Sequence, residues 1–117
     1  MAKAENVDLT FKDDTLGAWN VLSVSGELDM HTSPALQERL DALSVGEAPK
    51  VAVDLSTVPF MDSSGLGVLV VHFKRLRERG GTLALVGVAG SPQKVLSITG
   101  IDRVIPVYDQ VSELPQD

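Results

Sequence analysis

The residues best suited to chemistry lie together in Phe60-Met61-Asp62-Ser63-Ser64-Gly65-Leu66-Gly67. An acid precedes two adjacent hydroxyls and a glycine follows them. At this point an apolar strand, Val51-Ala52-Val53-Asp54-Leu55, gives way to an amphipathic run from Leu66 to Leu76. A helix starting here exposes unpaired backbone N–H groups and the positive end of a dipole, and both favour negative charge. The turn is therefore suited to holding a phosphate, and Ser63 or Ser64 to carrying one covalently. The simpler role is structural, with one serine accepting an amide hydrogen bond and capping the helix.

Other chemistries fit these residues poorly. A nucleophile elbow needs Gly-x-Ser-x-Gly, but Asp62 takes the place of the glycine before Ser64, and Gly65 follows that serine directly. No general base can be assigned, since His31 and His72 are the only histidines. A phosphate loop of Walker type lacks its Lys-Ser/Thr ending, and Gly65-Leu66-Gly67 is too short for a dinucleotide fingerprint. His31, beside a helix start, is expected to pack locally or meet solvent. His72, mid-helix beside a basic face with no second ligand four residues on, is expected at the surface or boundary. Asp29 either bonds the loop before the first helix or serves a binding edge. Asp54 alternates with Val53 and Leu55 and so faces outward. Trp19 and Tyr108 are isolated and suit the core or its boundary better than base stacking. An aspartate-phosphorylated receiver domain would need an acidic pair after its first strand and a lysine near its last. Thr10-Phe11-Lys12, Ser25-Gly26 and Ile101 to Val107 provide neither.

The elements that position the serines follow from pattern. Val7, Leu9 and Phe11 alternate with polar residues as a half-buried strand. Asp13, Asp14 and Gly17 supply turn chemistry before a second strand, Trp19 to Ser25, so an antiparallel hairpin opens the chain. Thr32-Ser33-Pro34 is a cap followed by proline; Leu36, Leu40 and Leu43 follow at helical spacing, and Gly46 ends that helix. After the strand from Val51 to Leu55, the central helix lays Leu66, Leu69, Val70, Phe73 and Leu76 on one stripe and stops at Gly80-Gly81. Thr82 to Val88 is another strand. Ser91-Pro92 opens a short helix that stops at Gly100, Val104 to Val107 is a last strand, and Asp109 to Leu114 forms one more helical turn. Pro115 onward is a tail. Strands linked by helices imply an α/β fold, with a mixed sheet that is mostly parallel after the hairpin and right-handed crossovers. Functional residues of such sheets gather beyond the carboxyl ends of the strands, which places Asp29 and Asp62-Ser63-Ser64 on one edge.

Composition narrows the class. The 117 residues are 44% hydrophobic and 22% charged, with a net charge of -6 and no cysteine. The acidic balance disfavours direct nucleic-acid binding and anionic membrane surfaces. No disulfide, thiolate nucleophile or Cys-bound zinc is available. Met1 to Asn6 lacks the apolar stretch of a signal peptide, and no apolar run nears the roughly 18 to 20 residues that span a bilayer. A single cytoplasmic domain without cofactor is expected, and a monomer is the simplest state.

Taken together, Gly26-Glu27-Leu28-Asp29-x-His31-Thr32 and Phe60-Met61-Asp62-Ser63-Ser64-Gly65-Leu66-Gly67-Val68 resemble the anti-sigma factor antagonists, which are single STAS domains. The likeness runs from about Val7 to Val107 and includes the Gly80-Gly81 break and the Ser91-Pro92 helix. The resemblance implies one STAS domain over residues 1–117, with its core at about 7–107. It also implies a partner switch. The unphosphorylated protein binds an anti-sigma factor that is also a serine kinase and frees the sigma factor. Phosphorylation releases it, and a serine phosphatase resets it. By motif position the modified residue is Ser63, with Asp29, Thr32, Asp62, Ser64, Gly65 and Gly67 at the docking edge. The chain is then a kinase substrate and no enzyme. Met30 departs from a polar residue often found at its position, which bears on partner preference. Two other readings stay open: a STAS scaffold that binds without switching, and a STAS domain that binds a small ligand.

Physical reasoning adds detail to the switch. A phosphate adds about -1.5 to -2 charges where the helix dipole tolerates them, so the fold is expected to survive it. A partner surface built for a neutral hydroxyl then faces a dianion. Gly65 and Gly67 either let a partner's backbone come close or ease a tight turn. Gly65→Val is accordingly expected to impair docking more than folding.

Overall fold

The computed structural model describes residues 9–116, so Val7 of the expected first strand lies outside them. β1 (Thr10–Leu16) and β2 (Trp19–Ser25) pair antiparallel, from Thr10 opposite Ser25 to Leu16 opposite Trp19. Asp13 and Asp14, expected in the turn, belong to the strand. The turn itself is Gly17-Ala18, where Gly17 takes a left-handed φ of 61°, which glycine adopts without a Cβ penalty.

Three further strands, β3 (Lys50–Thr57), β4 (Thr82–Val86) and β5 (Val107–Tyr108), run parallel to β2, and the sheet order is β1-β2-β3-β4-β5. Each parallel strand lies beside the one before it, so right-handed crossovers send the helices to the same face. These are α1 (Ser33–Leu43), α2 (Ser63–Glu78) and α3 (Gly90–Thr99). Leu36 and Leu40 of α1, Leu66, Leu69, Phe73 and Leu76 of α2, and Leu96 of α3 pack on Leu22, Val24, Val51, Val53, Leu55, Leu83 and Leu85. Full burial of one such side chain stabilises by about 1.5–3 kcal/mol. The opposite face carries Trp19, Val21, Ala52, Ala84 and Val86, against which Tyr108, Val111 and Leu114 of the C-terminal segment pack. The Trp19 indole donates to the Pro115 carbonyl at 2.7 Å, so the tail is anchored at its first residue.

Several boundaries differ from the pattern-based expectation. Val104 and Ile105 were expected in the last strand, but both amides donate back to Ile101 at 2.9 Å. The backbone therefore curls through a 3-10 turn, Ile101–Arg103, and extends only at Val107–Tyr108. α1 ends at Leu43 with Ser44 as its C-cap, before Gly46. α3 starts at Gly90 behind Ala89, so Ser91 lies inside the helix and does not cap it. The stop after α2 is as expected, the Gly81 amide donating to Leu76 at 2.8 Å. A Cβ at Gly81 would lie 2.0 Å from the Pro49 carbonyl oxygen, so only glycine fits there.

His72 is the largest departure. It was expected at the surface or boundary and is 1% exposed. Its Nδ1 lies 2.9 Å from the Val68 carbonyl and its Nε2 2.8 Å from Asp41 Oδ1, with Arg75 Nη1 3.7 Å from the same oxygen. Both ring nitrogens face acceptors. The crossing of α1 over α2 provides Asp41, a partner that no local pattern around residue 72 reveals.

Candidate functional site

The site is built where β2 and β3 end. Between Ser23 and Ser25 the ladder shifts register, and beyond Ser25 it closes once more as an isolated parallel bridge between Leu28 and Met61. The Leu28 amide donates to Phe60 at 2.9 Å and its carbonyl accepts from Asp62 at 3.0 Å. Leu28 and Met61 are both buried. With strand-like alternation, their neighbours Glu27, Asp29, Phe60 and Asp62 turn to the outside. The edge expected to carry both Asp29 and the serines is thus one continuous, hydrogen-bonded piece.

Asp29 holds its own loop. One carboxylate oxygen accepts from the amides of His31 at 2.9 Å and Thr32 at 3.0 Å. The Thr32 amide bond is the main cause that holds the Asp29 carboxyl below the ordinary carboxylate range, because hydrogen bonds to the charged form favour it. Thr32 is buried; its hydroxyl donates to the Glu27 carbonyl at 2.7 Å and accepts from the Asp29 amide at 3.0 Å. It makes no side-chain cap for α1. Thr32, expected at the docking edge, thus shapes the loop from within, its hydroxyl already engaged.

The cap of α2 is Asp62, not a serine. Its Oδ1 accepts from the Ser64 amide at 2.8 Å and the Gly65 amide at 3.3 Å, while its carbonyl accepts from Leu66 at 3.1 Å. Three first-turn amides are engaged in this way, which leaves the helix mouth little with which to grip a free anion. Ser63 opens the helix and is exposed, and Ser64 is half-buried. Among the described residues neither serine hydroxyl has a hydrogen-bond partner. A covalent group on Ser63 meets no competing bond.

The two glycines part company. Gly65 is buried, and a Cβ there would lie 2.9 Å from Leu28 Cβ and 3.1 Å from Met61 Cγ. Its smallness serves the seating of α2 under the bridge, which counts against the expectation that Gly65→Val impairs docking more than folding. Gly67 is exposed, and a Cβ there would meet nothing within 4 Å. Of the other sequence candidates, His31 is exposed and Asp54 bonds the Ser56 amide at 2.9 Å.

A five-stranded mixed sheet with its helices on one face, and a serine at the mouth of the second helix, define a class. The chain belongs to the STAS domain family, whose model matches residues 6–114. It is 37% identical over 91 residues to an anti-sigma-B factor antagonist of Listeria monocytogenes, covering 78% of this chain and 80% of that protein. Its fold matches the crystal structure of an anti-sigma factor antagonist from Mycobacterium paratuberculosis with a TM-score of 0.81 at 30% identity, covering 90% and 89% of the two chains. The fold is also that of the Bacillus cell fate determinant SpoIIAA in its phosphorylated form (TM-score 0.65, 21% identity, 84% of this chain and 90% of that one). Among the described residues no helix is long and apolar enough to cross a membrane.

Proposed function

We propose that this protein is an anti-sigma factor antagonist whose docking to an anti-sigma factor is switched by phosphorylation of Ser63. One observation carries the reading: Asp62 caps α2, so the exposed Ser63 hydroxyl beside it is free for modification. Relatives at this level of identity bear the antagonist name.

In the unmodified state the edge formed by Asp29, Asp62, Ser63, Ser64 and Gly67 docks onto the anti-sigma factor, which acts as the serine kinase and brings the ATP. Gly65 and Thr32 keep that edge in shape from below. Transfer of a phosphoryl group to Ser63 puts a dianion on a surface that had accepted a hydroxyl, and the partner leaves. A loss of about 2.8 kcal/mol would weaken binding about a hundredfold. The helix dipole tolerates the charge, so the block is local and α2 stays folded. A serine phosphatase restores the hydroxyl. The chain works as a substrate and binding module in the cytoplasm and performs no catalysis of its own.

The test is a side-by-side titration of the purified anti-sigma factor with wild type, Ser63→Ala and Ser63→Asp, together with phosphosite mapping by mass spectrometry. Ser63→Ala is expected to bind and resist phosphorylation, and Ser63→Asp to bind at least tenfold more weakly, about 1.4 kcal/mol. Phosphate on another residue, or equal binding by the Asp variant and by the phosphoprotein, would refute the switch. Binding without any phosphorylation would favour the non-switching scaffold, and thermal stabilisation by a small molecule would favour a ligand-binding domain.

A further inference from the structure

Two large exposed apolar side chains flank Ser63 along the chain and across the bridge. Met30 is 68% exposed and follows Asp29, and Phe60 is 41% exposed and precedes the bridge residue Met61. The Leu28–Met61 bridge zips their two loops together, so Met30 and Phe60 stand on the same edge as the mouth of α2. On α2 itself, Ser63, Gly67 and Val71 succeed one another at four-residue spacing and share one row of the helix surface. Gly67 leaves that row bare, and Val71 is 44% exposed. These three residues carry no charge, and the same spacing next reaches Arg75, beside Lys74. At its Ser63 end the two bridged loops carry the carboxylates Glu27, Asp29 and Asp62, and neither residues 26–34 nor residues 56–67 contain a lysine or arginine.

An apolar centre with a polar rim, acidic at the Ser63 end, is the anatomy of a docking surface. We propose that Met30, Phe60 and Val71 anchor the anti-sigma factor, which seats an apolar segment on the bare row at Gly67 and borders its Ser63 end with lysine or arginine. The inference rests on the Ser63 reading above and names the partner's chemistry. The acidic rim matches a basic border by charge, which sets the encounter rate and its salt dependence. The apolar anchors hold the complex once formed. A basic border would not repel a phosphate. The block by phosphoserine is then the desolvation of a dianion within the apolar row, and added salt cannot relieve it.

The experiment uses as probe the anti-sigma factor that phosphorylates this protein on Ser63, identified by testing purified anti-sigma factors of the source organism singly. It is titrated against Met30→Ala, Phe60→Ala, Val71→Ala and Gly67→Met, with Ile98→Ala, an exposed apolar position on α3, as control. Each of the four is expected to weaken binding by about tenfold or more, as anchors at an interface centre do, while Ile98→Ala binds as wild type. All are surface positions, so melting temperatures should stay near wild type, and a variant that melts early is replaced by Met30→Gln or Phe60→Gln. Ser63→Asp should stay weak at high salt. If the Met30→Ala, Phe60→Ala double variant binds as wild type while Ser63→Asp does not, the anchoring is overturned and the Ser63 switch stands. If no anti-sigma factor binds wild type, both fall together.

Discussion

Leu28 and Met61 join, by a lone parallel bridge, the loop that follows β2 to the loop that opens α2. Both side chains are buried beneath Gly65, so the entrance of the helix cannot shift without moving the Asp29 loop. The two halves of the site are therefore held together as one edge.

That packing predicts opposite outcomes at two neighbouring glycines. Gly65→Val is expected to destabilise the fold by about 1–3 kcal/mol, as overpacking does, since its Cβ has nowhere to go. Gly67→Ala should gain about 0.5–1 kcal/mol from helix propensity, because the space is open. Urea unfolding of both variants checks this, and equal midpoints would contradict the packing described here.

Capping by Asp62 predicts that Asp62→Ala costs about 1 kcal/mol, and that Asp62→Ser, which can still accept the amides, recovers most of it. Denaturant midpoints followed by circular dichroism at neutral pH provide the measurement. An unchanged midpoint for Asp62→Ala would return the capping role to a serine.

The His72–Asp41 contact predicts coupling between α1 and α2. Asp41→Ala strands a buried ring nitrogen and is expected to cost about 1–3 kcal/mol, although Asp41 is itself exposed. In a His72→Leu background the same substitution should cost little. A double-mutant cycle gives the coupling directly, and additive costs would mean that the pair is not coupled.

Asp29 predicts an acid limb. Its carboxyl is held below the ordinary carboxylate range, chiefly by the Thr32 amide and then by that of His31. The sign follows from linkage: the folded protein binds this proton less readily than the unfolded chain. The stabilisation is complete above the carboxylate range of the unfolded chain and is lost as pH falls through the lower, folded value. Asp29→Asn should lower the melting temperature at neutral pH and flatten its fall as pH drops below about 5. A parallel pair of curves would count against the assignment.

Local pattern carried much of the fold. The stripe of Leu66, Leu69, Phe73 and Leu76, the alternation around Val51 to Leu55 and the glycine stops at Gly80 and Gly100 all lie where periodicity and backbone preference place them. The site was legible in part: Asp29 and Ser63 fell on one edge because strands alternate with helices. Asp62 as the cap was open to a closer look, since Asp is as good an N-cap as Ser and stands one position ahead of the helix. The exposure of Phe60 had no local signal, because an exposed Phe60 and a buried Met61 look alike in a chain.

By itself the amino-acid order determined what a few neighbouring residues decide among themselves: which segments are strands or helices, where they stop, and which short motif bears the serine. Tertiary structure alone decided the meeting of Leu28 with Met61, the burial of His72 against Asp41, and the separate fates of Gly65 and Gly67. Each of these depends on contacts between segments far apart in the chain, and side chains gain or lose their partners only when packing brings those segments together.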